Sequence, residues 1–137
     1  HALRDLGAER IGHGTSAVED PELLAHLAEH GVPLEVCPSS NVATRAVATL
    51  EEHPLARLVE AGVVVTINSD DPPMFATSLN REYEIAAELL SLDEQGVADL
   101  ARAAVDASYA PAQVRTDLHA AITAYSESST ASGGVST

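Results

Sequence analysis

Hydrophobic positions along this chain alternate between two periods. A short apolar run of strand composition, a polar turn and an amphipathic helical stretch follow one another three times. The first run, Glu9-Arg10-Ile11-Gly12-His13, is short and weakly marked. The helix after it is sharply bounded. Asp20 suits the N-cap, Pro21 the first helical position and Gly31 the C-terminal stop, with Leu23, Leu24 and Leu27 as the apolar stripe between them. The second run, Val32 to Cys37, ends at Pro38 and leads into a polar loop, Ser39-Ser40-Asn41. A helix is predicted from Pro54 to Ala61, stopped by Gly62, with Leu55, Leu58 and Val59 facing inward. The third run, Val63-Val64-Val65-Thr66-Ile67, is β-branched and nearly continuous, the composition of a parallel strand buried on both faces. Asn68 to Pro73 cannot continue it. Beyond this point the pattern predicts helices only. One covers 79–90; one opens at Ser91 with Glu94 placed for a capping box; one covers 111–125 with Val114, Leu118 and Ile122 on one face. The Ser/Thr/Gly-rich end, 126–137, is predicted to be a disordered tail, leaving 1–125 as a single folded unit.

Strand alternating with helix implies a parallel sheet with right-handed crossovers, an α/β fold. A complete (β/α)8 barrel takes roughly 250 residues, about 31 per unit, and the unit length here is close to that. Three units followed by terminal helices are what strands six to eight of such a TIM barrel would look like. Taken alone, a three-stranded parallel piece exposes two unpaired edges, so a loose or aggregating species is expected from it.

Composition narrows the chemistry. The 137 residues are 45% apolar and only 3% aromatic, so the core must be built from Ala, Val, Leu and Ile. No run approaches the ~18 apolar residues of a membrane span, and the first residues lack the basic start and apolar middle of a signal peptide. The formal net charge is −14 and every one of the seven cations is Arg, a surface that repels phosphate backbones and argues against nucleic-acid binding. The single Cys rules out an intrachain disulfide and a Cys-only zinc site, and suggests the cytoplasm.

In parallel α/β proteins function gathers at the C-terminal ends of the strands. Here those ends carry His13 between two glycines, Cys37-Pro38-Ser39-Ser40-Asn41, and Asp70-Asp71, so a histidine and two carboxylates are expected to converge on one rim. The glycines beside His13 let the backbone turn and another group approach. Its imidazole can act as a base, a donor or a metal ligand. Asp70 and Asp71 are adjacent and should point in different directions, which suits one carboxylate for a metal and one for a substrate. A solvated acidic turn is the plainer reading of the dipeptide alone; its position after a buried strand favours function. His26 and His30 lie four apart on a helix without a third ligand, so they read as a solvated face. His53 precedes Pro54 and reads as a helix entry, His119 as a surface residue, and Cys37 as a packed strand end.

Four motifs in register carry a resemblance to a known family. They are Arg10-Ile11-Gly12-His13-Gly14, Pro33 to Asn41, His53-Pro54-Leu55, and Asn68-Ser69-Asp70-Asp71-Pro72 followed by Glu82-Tyr83. In order and spacing they resemble the adenosine deaminase family, and the match spans nearly the whole chain before the tail. The resemblance implies a (β/α)8 barrel with one catalytic Zn2+ at its C-terminal rim and hydrolytic replacement of a purine C6 amine, releasing ammonia. It implies Asp70 as a zinc ligand, Asp71 as the partner of a purine ring nitrogen, and His13 as the group that holds and polarises the attacking zinc-bound hydroxide. The family's His-x-His and His-Ala-Gly-Glu motifs are not in this sequence. The resemblance therefore implies that the rest of the barrel, upstream of His1, is a necessary partner and that this chain alone is inactive, since one zinc ligand of four cannot hold the metal tightly.

Members of the family act on adenosine, adenine or aminodeoxyfutalosine. The segments Asn41 to Val47 and Pro72 to Phe75 look more like bacterial nucleoside-acting members than adenine deaminases, and the choice between adenosine and aminodeoxyfutalosine stays open. Two other classes compete. A receiver-like signalling domain is also acidic and α/β and binds Mg2+ through an Asp pair, but it places that pair after its first strand and needs a late Lys, which this chain lacks. The other is a non-catalytic scaffold that kept only the barrel's end.

Overall fold

The computed structural model describes residues 2–132. Three strands, β1 (Ile11–Gly12), β2 (Leu34–Val36) and β3 (Val65–Ile67), form one parallel sheet in the order β1-β2-β3. Ile11 pairs with Leu34, and Leu34 in turn with Val65, so the strands run in step and their C-terminal ends share one rim. Both outer strands are open edges within this sheet. The strands are shorter than the apolar runs that predicted them, yet their flanks still join the ladder: the Ile11 N–H donates to Pro33 O, the Leu34 N–H to Val64 O and the Asn68 N–H to Val36 O.

A short helix, α1 (Ala2–Leu6), precedes β1, and a 3-10 turn (Thr15–Glu19) follows it. Next comes α2 (Pro21–His30), which ends where its sequence signals place it. The Asp20 carboxylate accepts from the Glu22 and Leu23 backbone N–H groups, each at 3.1 Å, and Gly31 closes the helix at φ 61°. Its Leu27 enters the core with Leu34, Val36, Leu55, Leu58, Val65 and Ile67. All three residues of β3 are buried, which is the expected two-sided burial of a parallel strand.

Two elements correct the expectation of loops. Residues after Pro38 form a helix, α3 (Pro38–Ala43), and residues after Asp71 form a single turn, α5 (Pro72–Phe75). Each has Pro in its first turn, where a missing N–H costs nothing, and neither shows an apolar period. Between them lies α4 (Leu55–Glu60). It is followed across β3 by α6 (Leu79–Leu90), α7 (Glu94–Ala107) and α8 (Ala112–Ser132). Ser91 does not open α7. It closes α6 in the left-handed region at φ 52°, and the Asp93 carboxylate caps α7 by accepting from Gly96 N–H at 2.9 Å. The α6 stripe runs on to Leu90, so Ser91 is consumed in stopping one helix rather than starting the next. The terminal helix continues past the predicted stop at Tyr125 to Ser132, because no Gly or Pro interrupts it before Gly133. The remainder of the expected tail, 133–137, lies outside the described residues, as does His1.

Packing closes around β3. Helix α7 lies against β3 and α8, while α6 bridges α3, α4 and β3. The fully buried Glu82 on α6 accepts from the Ser39 N–H at 3.0 Å and from the Thr77 hydroxyl. It fixes the first turn of α3 from 43 residues away. Among the described residues no helix is long and apolar enough to cross a membrane.

Candidate functional site

The rim is shaped by backbone turns that few residues tolerate. His13 first extends the ladder, its N–H donating to Glu35 O at 2.9 Å, and then turns at φ 58°. Gly14 continues the turn at φ 69°; a Cβ there would lie 2.7 Å from Leu34 Cδ2, so glycine is what lets the chain pass close over β2. Asp70, three residues beyond β3, sits at φ 55°. Such non-glycine geometry is uncommon and must be held by its surroundings. Here it turns two side chains to one place: His13 Nε2 lies 3.7 Å from Asp70 Oδ2. Both groups face an open depression bordered by Glu35, Cys37, Ser69 and Leu79.

Helix α3 supports both from beneath. The Ser40 hydroxyl donates to Asp70 Oδ2 at 2.6 Å, and Asn41 Nδ2 lies 3.0 Å from His13 Nδ1. Asn41 Oδ1 is in turn 3.1 Å from His53 Nε2, while His53 Nδ1 accepts from the Leu55 N–H at 3.1 Å. His53 is thus the helix entry that its position before Pro54 predicts, and also a buried partner of the rim, only 6% exposed. Burial holds its pKa below the ordinary imidazole value, against the pull of the Glu82 charge.

The sequence-predicted residues therefore divide. His13 and Asp70 meet. Asp71 points elsewhere: exposed, it caps α5 by accepting from Met74 N–H at 2.9 Å. Cys37 is packed, as expected of a strand end, and burial above all, with the Asp70 and Glu82 charges, pushes its thiol up to about 11. The rings of His26 and His30 lie 4.1 Å apart on α2, away from this rim. Half-buried His119 pairs with Asp106 at 2.8 Å between α7 and α8. Ser40, Asn41 and His53 carry the site without having been singled out for it. Their signal was present: Ser40 and Asn41 follow a strand end, where function concentrates, and His-Pro precedes a helix.

Zinc takes carboxylate oxygen, neutral imidazole nitrogen and thiolate sulfur. Among the described residues, His13, Cys37 and Asp70 bring one candidate atom each within 4.8 Å of one another. Asp70 offers an ionisable carboxylate at the open rim. The Cys37 thiol donates to Glu35 O at 3.6 Å and is held protonated by burial. His13 turns only Nε2 toward the depression, since Nδ1 is engaged by Asn41. The donor set fits a zinc held at one corner through Asp70 with His13 alongside, and not a complete site.

The chain is 65% identical over 124 residues to the aminodeoxyfutalosine deaminase of Streptomyces avermitilis, a match covering 90% of this chain and 35% of that protein. It is 44% identical over 117 residues to the adenine deaminase of Mesorhizobium japonicum, covering 85% and 36%. In structure it matches an adenine deaminase from Arthrobacter aurescens with a TM-score of 0.87 at 35% identity, across 92% of this chain and 38% of that one. An amidohydrolase from Burkholderia ambifaria, solved with bound Zn, shares the fold at a TM-score of 0.80 and 22% identity, over 92% and 35%. The chain spans about a third of the length of the curated relatives it matches. The family sequence model described as Adenosine deaminase matches residues 1–125. With that match and with its parallel strands and helices laid out as in these enzymes, the chain belongs to the adenosine deaminase family and has the fold of the C-terminal part of a (β/α)8 barrel.

Proposed function

We propose that this chain forms one side of a zinc-dependent active site that hydrolytically deaminates the adenine ring of a small-molecule nucleoside, with aminodeoxyfutalosine as the substrate. The observation that carries the reading is the approach of His13 Nε2 to Asp70 Oδ2 at an open rim, in a chain of the deaminase family. The choice of a nucleoside over free adenine is supported by 65% identity to an aminodeoxyfutalosine deaminase, against 44% to an adenine deaminase. The other ligands of the metal, and the group that shuttles protons, would come from strands upstream of this chain.

Asp70 would hold the zinc, kept in place by the Ser40 hydroxyl. When bound, zinc supplies Lewis acidity that brings the pKa of a water to about 7. His13 would hydrogen-bond the oxygen that replaces the amine at C6, stabilising the charge that gathers there. Asp71, projecting from the same turn in another direction, would hydrogen-bond a ring nitrogen. Its exposure leaves it open to a ligand.

In the complete protein, Asp70→Ala should abolish the loss of purine absorbance on aminodeoxyfutalosine, by more than about 100-fold, and lower zinc content. An unchanged rate in that variant would refute the metal role. Faster turnover of adenine or adenosine than of aminodeoxyfutalosine would refute the substrate.

A further inference from the structure

The hydrogen bonds under His13 run in one direction, and that direction is fixed at its far end. A backbone amide can only donate. The Leu55 N–H therefore donates to His53 Nδ1, which must carry a lone pair. A neutral imidazole then bears its proton on Nε2, and His53 Nε2–H donates to Asn41 Oδ1 at 3.1 Å. That bond fixes the otherwise ambiguous amide and sends Asn41 Nδ2–H toward His13 Nδ1 at 3.0 Å. His13 Nδ1 is an acceptor in consequence, and its Nε2 carries the proton.

We infer that Asn41 and His53 are positioning residues that fix His13 as its Nε2–H tautomer, so that it meets the reacting centre as a hydrogen-bond donor and not as a metal ligand. The inference rests on the deaminase reading for its purpose, and on the bonds alone for its geometry. A lone pair on Nε2 beside Asp70 would compete for a cation bound there. A fixed N–H cannot, and it is aimed where negative charge would gather on oxygen. The chain is built to keep its polarity. His53 is 6% exposed and Asn41 1% exposed, so water does not offer either an alternative partner. Asn41 is further locked by its backbone, with its N–H donating to Cys37 O and its carbonyl accepting from Val47 N–H. Reversing the Asn41 amide would set its NH2 against His53 Nε2–H, donor to donor.

The test uses the complete zinc-loaded protein, labelled with 15N at histidine. Long-range proton–nitrogen correlation spectra should show His13 and His53 both protonated on Nε2 and bare on Nδ1. An Nδ1–H signature at either residue overturns the inference, with no variant needed. Two substitutions then separate positioning from packing. His53→Gln keeps a donor for Asn41 and should retain the His13 tautomer, with kcat within about threefold. His53→Leu fills the space without the donor. It should release the amide, mix the His13 tautomers and lower kcat about 10- to 100-fold with KM and zinc content unchanged. Equal losses in the two variants would overturn the relay. If the tautomers are as stated while no purine is deaminated, the relay stands and the proposed function falls.

Discussion

At the rim, Ser40 reaches Asp70 across 30 positions of sequence, and Asn41 reaches His13 across 28, with the supporting side chains buried. In the outer layer formed by α7 and α8, Arg102 bonds Asp99, Gln95 bonds Asp99 and Gln113 bonds Asp117, each within one helical turn and exposed. Even the bonds that join those two helices, Arg102 to Thr123 and His119 to Asp106, lie at the surface. The contrast separates two uses of polar groups. Surface pairs along a helix exchange one set of water contacts for another and add little. A buried group that loses its partner keeps the full cost of desolvation, so each member of the rim network holds the next in place.

The sharpest way to break this contrast is at Ser40. Ser40→Ala removes the donor from Asp70 without changing the fold's packing, and should weaken zinc affinity of the complete protein about 10- to 100-fold, read by metal competition. Affinity equal to the parent's would make the rim no different from the surface. A smaller effect comes from His53, whose pKa is held below its ordinary value of about 6.5 by burial. The unfolded chain takes up that proton first, so the stabilisation is complete above pH ~6.5 and is lost as the pH falls through the folded value. Thermal denaturation should therefore show a loss of stability below about pH 6.5 that is reduced in His53→Gln; identical profiles would contradict it. The smallest effect belongs to the helical layer. Arg102→Ala should change the urea-unfolding free energy by no more than about 0.5 kcal/mol. A change of several kcal/mol would mean that the outer layer is wired like the rim.

The regular elements were legible because their signals are local. The Asp20-Pro21 start and Gly31 stop of α2, the span of α6 and the two-sided burial of β3 can all be read from neighbouring residues. The single-turn and short helices α5 and α3 were not. They carry no apolar period, and α3 depends on Glu82, 43 residues later, to satisfy its first turn. Ser91 misled because two caps compete within three residues, and the stop of α6 uses the serine while Asp93 takes the start of α7.

By itself the sequence determined the order of the three strands and of α2, α4, α6, α7 and α8, the rim on which His13 and Asp70 would gather, and the family motifs that hold His13, Asp70 and Asp71. Only the tertiary structure decided that Asp71 turns to cap a helix while His13 and Asp70 meet on that rim, and that Ser40, Asn41 and His53 stand behind the pair. The reason is physical. Helix and strand periods are set by residues a few positions apart, whereas the direction of a buried hydrogen bond depends on which donor the fold brings opposite it.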